Sequence, residues 1–191
     1  MTAYSQIKIG ALVLVLAALL LFAGCTQPSP IVQTTPAPTA TTAAPTVAPA
    51  APSNETLKAE IAALAGTFAS ETDGNALATV LREGPNSTAF AEMLGHLKAF
   101  KESDPKIKYV YTLEQRNGTV RFIVDANYGM PDGSGYLDVY DDAPAELKTP
   151  VTVPIGVGPY TDKWGTFYSG YAPVDSGSNE SVFVIGVDIT A

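Results

Sequence analysis

Residues 107–125 read IKYVYTLEQRNGTVRFIVD, and they decide the fold. Ile107, Tyr109, Tyr111 and Leu113 fall at every second position, as do Val120, Phe122 and Val124. A period of two marks strands with one buried face. The reading is two strands, Ile107–Glu114 and Thr119–Asp125, joined across Gln115-Arg116-Asn117-Gly118. Asn-Gly is a strong hairpin signal, because its two residues accept the positive φ that a tight turn needs.

Upstream the period is helical. Leu57, Ile61, Leu64, Ala65 and Phe68 share one face, with Ser53 or Asn54 as cap and Asp73-Gly74 as stop. A short helix through Leu77, Val80 and Leu81 ends at Gly84-Pro85. Another opens at Asn86-Ser87, carries Phe90, Met93, Leu94, Leu97 and Phe100 on one stripe, and ends before Asp104-Pro105. His96 sits beside that stripe as a boundary residue.

Downstream, residues 126–159 are rich in Gly, Pro and Asp, with a helical turn expected around Pro144–Leu147. Tyr128, Tyr136, Leu137, Val139 and Tyr140 dot this stretch, so it is expected to fold back over the sheet as a lid. Gly165–Pro173 and Ser181–Ile189 are two further strands. Helices followed by an antiparallel sheet make an α+β domain.

The N-terminus has a different character. MTAYSQIKIG with its Lys8, then the apolar run ALVLVLAALLLFAG and Cys25, reads as an export signal over residues 1–25. Leu21-Phe22-Ala23-Gly24-Cys25 resembles a lipobox, which makes Cys25 the lipidation site; an uncleaved anchor is the other reading. Residues 26–52 are almost wholly Thr, Ala and Pro, a composition that cannot offset its ordering entropy and forms a stalk. The folded domain is expected over 53–191. Asn54, Asn86, Asn117 and Asn179 each open an Asn-x-Ser/Thr triplet and are candidate glycosylation sites. With the stalk they imply a surface glycoprotein of archaeal type, outside the cell and anchored to its membrane.

The 191 residues carry a net charge of −8, which argues against nucleic acid and against docking on anionic headgroups. The one cysteine excludes an intramolecular disulfide. One histidine and no nucleophile elbow give no enzyme signature, and no cofactor is implied. Asp132, Ser134, Asp138, Asp141 and Asp142 could offer oxygens to calcium, but the spacing is not that of an EF-hand and a solvated acidic loop is the preferred reading.

Strand alternation yields a candidate pocket. Val120, Phe122 and Val124 share one face of the second strand, and Arg121, Ile123 and Asp125 the other. The apolar face is assigned to the helices, which leaves Arg121 and Asp125 beneath the loop; Tyr109 and Tyr111 share a face of the first strand. Such a cleft suits a small polar ligand, a carboxylate, amino acid or amine. Arg121 and Asp125 are equally able to pair with each other.

KYVYTL, RFIVDA, GPYTDKWGTFYSGYAPV and VFVIGVDI together resemble the extracellular PAS-like sensor domain of the Cache type. The resemblance covers Ser53–Ala191. It is most specific in Asp162-Lys163-Trp164-Gly165-Thr166, in Tyr171-Ala172-Pro173 and in Gly186-Val187-Asp188-Ile189. It implies a long helix on a central antiparallel sheet, with ligand held between the sheet and covering loops. It also implies Trp164 and Tyr168 as lining residues. Tyr136 from the loop and Asp188 near the chain end complete the candidate set, Asp188 being equally able to cap backbone. With no output domain after residue 191, the expected role is ligand binding on behalf of a separate signalling or transport partner. The alternative is a structural or adhesive envelope lipoprotein, in which Tyr136 or Tyr140 turns inward and fills the cavity.

Overall fold

The computed structural model describes residues 51–176 and 181–191. The expected signal segment with Cys25, nearly all of the stalk, and Asn179 lie outside the described residues. Three helices come first: α1 (Asn54–Glu71), α2 (Gly74–Glu83) and α3 (Thr88–Glu102). Five strands follow: β1 (Ile107–Arg116), β2 (Thr119–Asp125), β3 (Ile155–Asp162), β4 (Gly165–Val174) and β5 (Val182–Thr190). One open antiparallel sheet results, in the order β2-β1-β5-β4-β3, so the domain is α+β. Among the described residues no helix is long and apolar enough to cross a membrane.

The helix boundaries follow from side-chain caps. Ser53 Oγ accepts from the Thr56 amide, Asp73 from that of Asn75, and Ser87 from that of Phe90, each satisfying a donor the helix cannot. The Glu71 carbonyl at the far end of α1 is met by His96 Nε2 at 3.0 Å, which ties α3 to α1. Ile61, Ala65 and Phe68 of α1, Leu77 and Val80 of α2, and Phe90, Met93, Leu97 and Phe100 of α3 bury against one face of the sheet. Phe68 and Phe100 stack with centroids 4.1 Å apart. Against β4 the approach is close enough to need glycine: a Cβ on Gly170 would lie 2.0 Å from the Ile61 carbonyl oxygen.

The β1–β2 turn is Asn117-Gly118, with φ of 51° and 76°, as the sequence requires. The hairpin carries an irregularity the sequence did not disclose. Thr112 pairs with Val124 but Leu113 pairs with Phe122, so Ile123 is an extra residue in β2. Thr112 Oγ1 donates to the Val124 carbonyl and accepts from its amide, sealing the bulge. Ile123 and Val124 therefore both join the helix-side core, and Asp125 swings to the opposite face with Phe122.

The stretch 126–159 is not one loop. Its end forms β3, an edge strand whose Gly158-Pro159 bond is cis. Proline and two glycines hid this strand; proline is tolerated there because an edge leaves one row of amides unpaired. Earlier, 137–140 runs along the outer edge of β2, with Phe122 and Leu137 amides donating to Asp138 and Phe122 carbonyls and the Tyr140 amide to Val120. Leu137 takes φ of 62° where the chain turns onto that edge. The expected helical turn is a 3-10 turn at Ala145–Lys148, and Tyr140, Leu147 and Val151 pack on the face away from the helices.

Candidate functional site

On that second face the strands present tyrosines in place of aliphatics. Tyr109 and Tyr111 come from β1, Tyr160 from β3, Tyr171 from β4, and Tyr140 from the covering segment. The hydroxyls of Tyr111, Tyr171, Tyr160 and Tyr140 form a continuous chain, while that of Tyr109 reaches Asp132. Tyr111 donates to Asp188 Oδ1 at 3.1 Å and lies 3.3 Å from the Tyr171 hydroxyl. Tyr171 and Tyr160 hydroxyls are 2.9 Å apart, and Tyr160 also reaches Ser169 at 2.9 Å and Tyr140 at 3.3 Å. Tyr140 donates to Asp162 Oδ2 at 2.8 Å. Among the described residues no buried side-chain polar atom is left without a partner, as a water-poor interior demands.

A cavity of about 10 Å³ opens beside this chain, lined by aromatic rings and by the carboxylates of Asp125, Asp132, Asp162 and Asp188. That is room on the order of one water molecule. Asp188, Asp125, Tyr109, Tyr111 and Phe122 form its buried floor; Trp164, Asp162 and Asp132 are half-exposed and stand at its mouth. Trp164 meets Phe122 and Tyr140 edge-on, at centroid distances of 5.6 and 5.8 Å. Tyr111 lies flat enough over β5 that a Cβ on Gly186 would come 2.2 Å from its ring.

The carboxylates differ in what they hold. Asp125 accepts the amides of Asn127 and Ser134, shaping the turn after β2. Asp162 accepts those of Trp164 and Gly165, closing the β3–β4 hairpin around Lys163-Trp164. Asp132 pairs with Lys108 at 3.9 Å on the surface. Asp188 is 3% exposed, and no ion pair reaches it among the described residues. Burial pushes its carboxyl up to about 7, and the charges of Asp162 and Asp125 add to this against hydrogen bonds from Ser169 and Tyr111. Burial also raises Asp125, against its two amide donors. Desolvation holds Tyr111, Tyr140 and Tyr171 above the ordinary phenol range and Tyr160 at about 12, so all four stay protonated donors.

Of the residues expected from sequence, Tyr109, Tyr111, Asp125, Trp164 and Asp188 converge here. Three do not. Arg121 is exposed, paired across the hairpin with Glu114, because the bulge separates its face from that of Asp125. Tyr136 lies on the helix side, its hydroxyl donating to the Val80 and Leu81 carbonyls of α2. Tyr168 shares the α1 face with Gly170, and its hydroxyl donates to Asn54 Oδ1 at 2.7 Å. The residues of β4 that point to the site side are instead Phe167, Ser169 and Tyr171. Phe122, assigned to the helix face, lines the cavity, as do Tyr140, Asp162, Asp132 and Ser134. Asp162 had a local signal, since Asp before Lys-Trp-Gly is a turn-closing pattern.

The five oxygen-bearing residues weighed for calcium are dispersed. Asp138 holds the Gly135 amide, Asp142 that of Lys163, and Asp132 and Ser134 line the cavity. Among the described residues no group of three acidic, histidine or cysteine side chains could hold a metal ion. Asn54, Asn86 and Asn117 are exposed, at the start of α1, ahead of α3 and in the hairpin turn. Compared with known proteins, the chain matches no family model, no curated protein and no solved structure.

Proposed function

We propose that the domain is a non-catalytic small-molecule-binding module, carried outside the cell on a lipid-bearing Cys25 and the 26–52 stalk and serving a separate partner. It is a PAS-like domain of the Cache type in this reading. The observation that carries it is Asp188: a buried carboxylate with no ion-pair partner among the described residues, on the floor of an aromatic-walled cavity, under a covering segment. Buried, charge-destabilised carboxylates concentrate at functional sites. The helix-packed antiparallel sheet supports the reading, with its cavity on the face away from the helices. The test is a thermal-shift screen of the intact chain in detergent against amines, amino acids, carboxylates and sugars. A ligand at a hundred times its dissociation constant adds about 2.7 kcal/mol of stability. A saturable shift abolished by Asp188→Asn is the expected result; no shift across the library sinks the reading.

One observation favours a second reading, an envelope lipoprotein that has filled the cavity with its own side chains. Tyr140 is turned inward and only 4% exposed, and the remaining space is about 10 Å³. In that case Tyr140→Ala enlarges the cavity, yet no small molecule stabilises either protein.

A further inference from the structure

We infer that the side-chain amine of Lys101 and the carboxamide of Asn127 condense into an intramolecular isopeptide bond with loss of ammonia, stapling α3 to the turn after β2. This modification is independent of the ligand-binding reading. Lys101 is half-buried in the last turn of α3, and Asn127, only 7% exposed, follows β2. Lys101 Nζ stands 2.5 Å from Asn127 Oδ1, closer than the roughly 2.7–3.2 Å that N–H···O hydrogen bonds adopt. A carbonyl bond is about 1.2 Å long, so this nitrogen is within about 3.7 Å of Asn127 Cγ. Reacting atoms held at about 3–3.5 Å are placed for attack, and a fixed approach of that kind replaces the entropy cost of encounter.

The surroundings hold the pair in place. Asp125 Oδ1 accepts the Asn127 amide, and the Asn127 carbonyl accepts the Met130 amide. The turn is so tight that a Cβ on Gly133 would lie 2.0 Å from the Asn127 carbonyl oxygen. Among the described residues Lys101 forms no ion pair; its hydrogen bond goes to a neutral carboxamide. A groove of about 400 Å³, bordered by Lys98, Glu102, Ala126 and Met130, opens beside the two side chains and gives ammonia a way out. In the step, the Lys101 ammonium gives one proton to water in the groove. The amine nitrogen attacks Asn127 Cγ, the new C–N bond forms and the Cγ–Nδ2 bond breaks. Nδ2 takes a hydrogen from the attacking nitrogen and leaves as ammonia, which picks up the first proton. No oxidant or cofactor enters. The one cysteine allows no intramolecular disulfide, so an amide closing the loop 101–127 is a covalent restraint this chain can make, acting on the unfolded state as a disulfide would.

The experiment digests the intact chain, purified in detergent, with trypsin and reads the peptides by mass spectrometry. The expected product is peptide 99–106 joined to peptide 122–148, with a mass one ammonia below their sum and no cleavage after Lys101. Lys101→Arg, which keeps the positive charge, and Asn127→Ala are each expected to abolish the joined species. If Asn127→Ala does not fold, Lys101→Arg alone decides. Cleavage after Lys101 with peptide 122–148 free, after prolonged incubation of the folded chain, overturns the inference. Ammonia loss confined to peptide 117–121, from ring closure at Asn117-Gly118, overturns it as well. A joined species that survives Lys101→Arg overturns the assignment to this lysine.

Discussion

The two faces of the sheet are made by alternate residues of the same strands, yet they are built on different principles. Toward the helices, Val110, Ile185, Val187, Ala172 and Ile123 meet Leu77, Leu97 and Phe100 in a wholly apolar core. That face is specified by shape and area removed from water. Toward the covering segment, Tyr111, Tyr171, Ser169 and Asp188 are as deeply buried but are held by hydroxyl hydrogen bonds. A face of that kind is costly to leave half-satisfied, and it contains Asp188, a fully buried group whose charge state can change near neutrality. Apolar packing dominates one side of the sheet and hydrogen-bonded polar groups the other.

Four substitutions would break or sharpen this contrast. The largest effect is expected on the helix side. Leu97→Ala removes a fully buried side chain and should cost about 2–5 kcal/mol in urea denaturation, with little pH dependence. A loss below 1 kcal/mol would mean that the helices contribute less to the core than their burial implies.

Next is Asp188→Asn. The folded-state value of about 7 lies above the ordinary 3.8, so the folded protein binds the proton more tightly than the unfolded chain. This contribution is fully present below about pH 4 and is lost as pH rises through about 7, for a total on the order of 4 kcal/mol. Asp125, also raised, acts in the same direction. The groups facing Asp188 are Tyr111 of β1, Asp125 of β2, Tyr160 and Asp162 of β3, and Tyr171 of β4. Wild type should therefore lose stability between pH 4.5 and pH 8, and Asp188→Asn should flatten that slope and be the more stable protein at pH 8. Parallel slopes for the two proteins would show that Asp188 is not the titrating group.

Tyr160→Phe is smaller again. It deletes the hydroxyl shared by Ser169, Tyr171 and Tyr140, and about 1–2 kcal/mol should be lost with the far-UV spectrum intact. A neutral result would show that the remaining hydroxyls close their own network. Arg121→Ala is the smallest: within about 0.5 kcal/mol in stability and without effect on ligand affinity, since Arg121 is exposed and away from the cavity. Loss of binding in that variant would contradict the assignment of faces.

Much of this was legible from the residues. Ser53 and Ser87 marked helix starts, Asn117-Gly118 marked the hairpin, and the aliphatic stripes of α1 and α3 marked the core. Tyr109, Tyr111, Asp125, Trp164 and Asp188, singled out from the sequence, line one cavity. Arg121 and Phe122 were read onto the wrong faces because a strict period of two carries no sign of a bulge. The resemblance put Tyr168 at the pocket but it faces α1; alternation says which residues go together, not which side the helices take.

What the sequence determined by itself was local. Periodicity, caps and turn residues act over a few positions, so they fixed the α+β order and most element boundaries. Tertiary structure decided three things. It recruited Ile155–Asp162 as an edge strand, because β4 offered unpaired backbone groups to a segment too rich in glycine and proline to declare itself. It inserted Ile123 as a bulge, which turned Asp125 to the cavity and left Arg121 outside. It also stacked Tyr111, Tyr160, Tyr171 and Tyr140, distant in sequence, over Asp188. Only cross-strand register brings such hydroxyls within hydrogen-bond reach, and register is a property of the whole sheet.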